Sequence, residues 1–445
     1  MTWQVLIALL IAGCTEAQEL VERIRPVPET PHERYAALLE DSGLHETALG
    51  RDWLAAAGSA LRSPVAVSLP FRERAYFADF EAGAASWSFS ASRGDQIRIT
   101  LQLEDTATFA VFADLFEAPA DTSRELTRRA WSDSLALSIT HNARSDSRYI
   151  LRVQPELLRT GSVTVTIERG PSLAFPVNGR DTRAIQSFFG ADRDGGRRVH
   201  HGVDIFAPRG TPVLAAVDGV IRSTRPNNLG GIVVWLRDDE GGQSLYYAHL
   251  DSQIVARGQR VSVGDTLGFV GNTGNARTTP PHLHFGIYQS GSGPVDPLPF
   301  IREGVPETRS VVDGSALGTW VRTRGPEATV YQDPSRNPNP PRQLARGTPL
   351  RVLAASTTML RVRLPDGSIG YIPPRSIEPA ERPLGSELLA AGTQLLEAPT
   401  PLAPAVAAAG SEPVDVLGRF GAYALVRTVE RAGWVAVETT EAEVE

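Results

Sequence analysis

The sequence predicts a mainly β, multidomain protein, and three observations carry that expectation. The chain runs to 445 residues, enough for about three domains of ordinary size. Between Val65 and Glu168, short runs of alternating apolar and polar residues follow one another at fairly regular spacing, separated by turn residues. Beyond residue 313, a strand, gap, strand and turn pattern occurs twice. A hydrophobic content of 42% supports packed cores. The formal net charge of −7 argues against a nucleic-acid binder, which normally presents a basic face. Lysine is absent and all 44 basic residues are arginine, a compositional bias to which we attach no function.

Residues 1–14 read as an export signal. Met1–Ala12 is uncharged and apolar, and too short to span a bilayer as a mature helix. It ends in Ile11-Ala12-Gly13-Cys14 and is followed at once by polar Thr15-Glu16. This resembles the lipobox of bacterial lipoproteins, although no Lys or Arg precedes the apolar run. The resemblance implies lipidation at Cys14, and Thr15 in the next position implies sorting to the outer membrane, facing the periplasm. Cys14 is the single cysteine, so no internal disulfide can form.

Residues 15–63 read as a tether and a short helical region. Thr30-Pro31-His32-Glu33 has the form of a capping box with proline at the first helical position. The helix it opens should stop at Gly43, and a second should run from about Glu46 to Leu61, before Pro64. Surface or capping duty accounts for His32 and His45. Residues 64–170 read as an antiparallel β-sandwich without clustered acids or histidines, suited to binding or spacing. It resembles the sandwich modules that accompany secreted bacterial peptidases.

Residues 171–304 hold the chemistry, and residues 313–380 and 381–440 follow as two small barrels. The pairs Gly370-Tyr371-Ile372 and Gly433-Trp434-Val435 close the two copies of the repeat. Both resemble bacterial SH3-like domains, the second more weakly. There the Pro/Ala-rich stretch EAPTPLAPAVAAAG would have to form a long loop.

Eight histidines serve the whole chain, yet five lie between His200 and His284, about a fifth of the sequence. Histidine is the commonest protein ligand for transition metals and the usual acid/base near neutral pH. In VHHGVDIFAP the β-branched residues favour a strand, so His200, Gly202 and Asp204 would share one face. Gly202 leaves room between the imidazole and the carboxylate. His201 would point away and is read as a non-ligand. In PPHLHF, His282 and His284 would share a strand face, whereas a helix would splay them by about 200°. Tyr246-Tyr247-Ala248-His249-Leu250 adds a histidine at the end of a β-type run.

An HxH pair alone is equally compatible with two exposed strand histidines. The acid that cupins place a few residues later is absent here. HxxxD, an isolated histidine and HxH in that order point instead to a metal centre. Two imidazoles, one carboxylate and an open position make a catalytic zinc site of net charge near +1.

These motifs resemble those of the M23 (LytM/lysostaphin-like) zinc metallopeptidases. The similarity runs from Phe175-Pro176-Val177 through FFGADRDGGRRVHHGVDIFAPRGTPVLAAVDGVI, YYAHLDS, GQRVSVGDTLGFVGNTGNARTTPPHLHFGIY and VDPLPFI. It spans roughly 130 residues, under a third of the chain. Carried over by position, it implies an antiparallel β catalytic domain of LytM type. It also implies one Zn²⁺ held by His200, Asp204 and His284, with His249 and His282 as the catalytic pair. Pro281 departs from the glycine common in the family, but all five functional positions are filled.

The implied activity is hydrolysis of peptide cross-links between peptidoglycan strands, with peptidoglycan stems and, through the anchor, a membrane as partners. Tyr247, Asn272 and Thr279 are candidate substrate-binding residues, although tight turns explain the Asn272–Asn275 and Gly291–Gly293 segments equally well. Two other functions fit the same sequence. One is a protease acting on glycine-rich proteins, and the other is a non-enzymatic envelope lipoprotein regulating wall hydrolases.

Overall fold

The computed structural model describes residues 29–437 apart from 80, 105–108, 120, 122–123, 133–136, 194, 241, 303–307, 336–340 and 430. The chain is mainly β and multidomain, with several sheets and a few short helices. The export signal, Cys14 and most of the tether lie outside the described residues. Among the described residues, no helix is long and apolar enough to cross a membrane.

The local signals at the N-terminus produce the helices expected of them. Thr30 accepts from the Glu33 amide while the Glu33 carboxylate accepts from the Thr30 amide, a complete capping box on the helix Pro31–Asp41. Thr47 caps a second helix, Ala48–Arg62. Their apolar faces meet the sandwich through Leu39, Trp53 and Phe112.

His32 departs from expectation. It is buried, stacks on Trp53 at 4.8 Å and bonds Gln154 at 2.8 Å. Its place on the helix face packed against the sheet, beside Trp53 and Phe112, turns its ring inward rather than to solvent. Burial, helped by the Arg152 charge, lowers its pKa to about 4.

The sandwich has the predicted two layers. One sheet pairs Val65–Ala66, Ala85–Ala91, Ser147–Pro155, Val111–Ala118 and Thr127–Trp131 in that order. The facing sheet contains Phe71–Phe77, Gly161–Pro171, Asp95–Glu104 and Ser138–Asn142. Residues such as Trp87, Ile97, Leu115, Leu151 and Val165 fill the space between them.

This second sheet does not end within the sandwich. Phe71–Phe77 also pairs with Pro349–Ser356, aligning Glu73 with Ser356 and Ala75 with Ala354. Through that pairing the sheet continues into Leu360–Arg363 and Ile369–Ile372, nine strands in all. The first C-terminal segment therefore adds strands to the sandwich sheet, where the sequence suggests two separate modules.

Glu73 occupies the seam, fully buried. It accepts from Trp87 Nε1 at 3.1 Å and Tyr371 O–H at 3.0 Å, and pairs with Arg361 at 3.0 Å. The last sheet has six strands. Its Pro/Ala-rich stretch is not the expected long loop: Ala405–Ala408 is a strand paired with Gln394–Leu396. It extends on one side of the sheet only, where the neighbouring prolines need supply no ladder donor.

The remaining unit is a ten-stranded antiparallel sheet from residue 185 to 295. Its centre runs Val203–Phe206, His282–Gln289, Gln243–Gln253, Ile232–Asp238. Val203, Ile205, Leu245, Leu283, Phe285 and Ile287 fill its core from one face. The other face carries the histidines.

Candidate metal centre

Strand register assembles the site. Asp204 lies directly opposite His284 across the Val203–Phe206 and His282–Gln289 pair, and Ala248 lies opposite His284 on its other side. Directly opposed residues share a sheet face with their Cβ atoms about 4.5–5.5 Å apart. The alternation expected for His282 and His284 is therefore realised, with Leu283 and Phe285 in the core. His282 lies opposite Phe206, and their rings stack at 5.0 Å.

His200 reaches the site differently from the prediction. It lies in the connection between Arg198–Val199 and Val203–Phe206, not on one continuous strand. Gly202 makes that connection possible, because a Cβ there would come 2.8 Å from the His284 ring and 2.5 Å from the Phe285 carbonyl. His201 is exposed, lines the outer groove and packs near Phe189, away from the ligand cluster.

Backbone carbonyls fix the imidazoles. His200 Nδ1–H donates to Phe188 O at 2.8 Å, His249 Nδ1–H to Thr273 O at 2.9 Å, and His282 Nδ1–H to Pro280 O at 2.9 Å. Each bond leaves the Nε2 lone pair as the ring's remaining polar atom.

His200 Nε2 lies 3.0 Å from Asp204 Oδ1 and 2.9 Å from His284 Nδ1, which is itself 3.0 Å from that oxygen. Three acceptor-type atoms at this separation repel unless a proton or a cation sits among them. Together they form a group that could hold a metal ion. Burial alone would raise the Asp204 carboxyl, but the His200 and His284 rings beside it outweigh burial and hold it far below the usual range.

His249 and His282 flank the cluster with ring centres 5.0 Å apart. Burial, reinforced by His282 and His284, lowers His249 to about 4, so it is neutral at neutral pH. His249 also has a left-handed backbone, φ 62°. A non-glycine residue held there costs about 1–3 kcal/mol and persists only where its surroundings fix it. Its N–H bonds Gly230 O at 2.8 Å, and the ladder is irregular beside it.

That irregularity overturns one substrate-binding expectation. Strict alternation would place Tyr247 on the His249 face, but Tyr247 is fully buried in the core. It packs on Phe285 at 5.3 Å and accepts from the Ala216 amide. Tyr246 occupies the groove in its place.

Asn272 is also outside the groove lining. It braces its own turn, donating to Thr279 O and accepting from Arg209. Thr279 does line the groove, with its hydroxyl donated to Ala276 O.

The groove has a volume of about 600 Å³ and is lined, among the described residues, only by residues from 187 to 288. Neither the N-terminal helices nor the C-terminal sheets contribute to it. One wall is aromatic: Trp235 packs on Tyr246 at 4.4 Å and on Tyr288 at 5.0 Å. The sequence carried a signal for this wall, since the period-2 face of His282 and His284 continues through Gly286 to Tyr288. Arg193 and Ser187, beside Asp204, had no comparable signal.

Residues 198–297 match the family model described as Peptidase family M23. The L-Ala--D-Glu endopeptidase of Bacillus subtilis is 36% identical over 140 residues, covering 29% of this chain and 43% of the relative. The peptidoglycan DD-endopeptidase ShyC of Vibrio cholerae is 36% identical, covering 28% of this chain and 29% of the relative. The DD-carboxypeptidase/endopeptidase Mpg of Neisseria meningitidis is 44% identical, covering 23% and 22%. The chain thus spans less than half the length of each of these relatives. Among solved structures, the lysostaphin catalytic domain of Staphylococcus simulans is 35% identical. It covers 26% of this chain and 89% of that one, with a TM-score of 0.24. The family match and these relatives support a peptidase domain of the M23 family in this segment.

Proposed function

We propose that this protein is a zinc-dependent endopeptidase that hydrolyses peptide cross-links of peptidoglycan. The observation that carries the proposal is the convergence of His200 Nε2, Asp204 Oδ1 and His284 Nδ1, beside His249 and His282, in an open groove. The relatives that act on peptidoglycan support the substrate class. Two imidazoles and a carboxylate are a donor set suited to zinc with a further position open.

Zinc bound there would supply Lewis acidity and lower the pKa of a coordinated water toward about 7. The chain's own residues do the rest. With their Nδ1–H groups bound to backbone carbonyls, His249 and His282 keep Nε2 free and would orient the attacking water, take its proton and deliver it to the leaving amine. Once protonated, either imidazole donates to the oxygen that becomes negative. The Trp235–Tyr246–Tyr288 wall would hold the peptide alongside. Export and lipid anchoring through Cys14, at the outer membrane, belong to the same proposal and are supported by the apolar run ending in small residues and cysteine.

The test is incubation of the zinc-loaded protein with cross-linked muropeptides, reading products by mass. Cleavage is expected, and the masses identify the bond. His249→Ala or His282→Ala should each lower turnover about 10²–10³-fold while zinc stays bound, the scale for removing one group that stabilises the transition state. Absence of product from every muropeptide would leave the regulatory lipoprotein, and cleavage of glycine-rich proteins alone would leave the protease.

A further inference from the structure

The two oxygens of Asp204 have different partners. Oδ1 faces His200 and His284, each at 3.0 Å. Oδ2 accepts from Arg193 Nη2 at 2.9 Å. The same nitrogen also donates to Ser187 Oγ. Arg193 belongs to the two-stranded pair Asp192–Arg193 and Arg198–Val199, which leads straight into His200. The His200 amide bonds back to Ala191 O at 2.9 Å. One hairpin therefore carries His200 on its chain and grips Asp204 with its guanidinium.

We infer that Arg193 is a positioning residue for the metal centre: by occupying Oδ2 it commits Asp204 to offer the metal a single oxygen. The inference rests on the metal-centre reading above. A carboxylate free at both oxygens can close on a cation with both and use up coordination that a catalytic site must leave open. A charge-assisted bond of this length is roughly twice as strong as a neutral one, and partners behind a ligand commonly tune metal affinity. Positioning and simple charge predict opposite signs. A nearby cation repels a metal ion, so if charge were its only role, removing Arg193 would tighten binding.

The full chain is stripped of metal and compared as wild type, Arg193→Ala and Arg193→Lys. Zinc affinity is read by chelator competition, and the coordination of Co²⁺ by its visible absorption. Arg193→Ala should bind zinc about 10–100-fold more weakly. Its Co²⁺ bands should weaken as the coordination number rises, and Arg193→Lys should recover part of both. Unchanged bands with equal or tighter zinc binding in Arg193→Ala would overturn the inference while leaving the metal centre intact. A wild type that binds neither ion would overturn the metal centre itself. If Arg193→Ala does not fold, Arg193→Gln and Arg193→Lys decide the matter by the same readouts.

Discussion

Two buried polar clusters in this chain are built on opposite rules. At the sheet seam, both Glu73 oxygens face donors: Trp87 Nε1 and Arg361 on one, the Tyr371 hydroxyl on the other. At the candidate metal centre, three ligand-type atoms, His200 Nε2, Asp204 Oδ1 and His284 Nδ1, crowd within 3.0 Å of one another. The His200 Nδ1–H is already given to Phe188 O, so its Nε2 has no proton to offer the cluster. Buried polar groups are normally paired. A buried carboxylate whose two oxygens both face donors holds structure together, whereas ligand atoms crowded within 3.0 Å of one another are shaped for a cation.

The largest test of this contrast removes one metal donor. His200→Ala should abolish zinc binding and hydrolysis while the metal-free protein still folds, because the change relieves the crowding of ligand atoms around Asp204. In the wild type, zinc at a thousand times its Kd should stabilise the fold by about 4 kcal/mol. Thermal melts with and without zinc should show that gain in the wild type and none in the variant. Retained zinc and activity in His200→Ala would break the comparison at its first term.

The seam should respond in reverse. Glu73→Ala leaves Arg361, itself buried, without its carboxylate. Breaking one side of a buried ion pair costs about 3–5 kcal/mol. Chemical denaturation should register that loss, while zinc content and turnover per folded molecule stay at the wild-type level. A coincident fall in metal affinity would mean the two clusters are coupled.

Which features the sequence made legible follows from how regularly the chain repeats. Asp204, His282 and His284 could be placed because period 2 holds along both of their strands. The capping box at Thr30 was equally readable, being contained within four residues. His249 gave up its residue type but not its geometry, since the φ of 62° that turns it into the site, and Tyr247 out of it, leaves no mark in composition. The strand Phe71–Phe77 escaped notice because its buried face includes Glu73, an acid where the pattern wants an apolar residue. With that strand went the junction to Pro349–Ser356, a contact between segments nearly three hundred residues apart in sequence.

The His32 cluster stands between the two extremes, being favourable only while the ring is neutral. Gln154 bonds it, and Arg152, Arg128 and Asp114 supply the surrounding charges. Because burial holds its pKa near 4 in the fold, against 6.5 when unfolded, its stabilising contribution is complete above about pH 6.5. It is lost as pH falls from there toward 4, by on the order of 3 kcal/mol in total. His249 titrates in the same window, so the comparison must be between wild type and His32→Gln. The acid-induced loss, followed by the fluorescence of Trp53 and its neighbours, should be smaller in the variant. Identical pH profiles would remove this cluster from the contrast.

The finest test subtracts a single donor from the seam. Tyr371 is fully buried, and burial together with the Glu73 charge raises its hydroxyl well above the ordinary range, so it serves as a donor at every workable pH. Tyr371→Phe keeps the ring but leaves Glu73 Oε2 without that bond, whereas Oε1 keeps Trp87 and Arg361. Hydrogen bonds to charged groups contribute about 1.5–3 kcal/mol, so the variant should lose that much and less than Glu73→Ala. In the double variant Glu73→Gln with Tyr371→Phe, the hydroxyl's contribution should shrink, because a neutral amide needs the donor less. If the two losses simply add, the seam is a set of independent contacts and not one cluster built on the carboxylate. If they couple, the Glu73 carboxylate is the shared acceptor that makes the seam a single cluster.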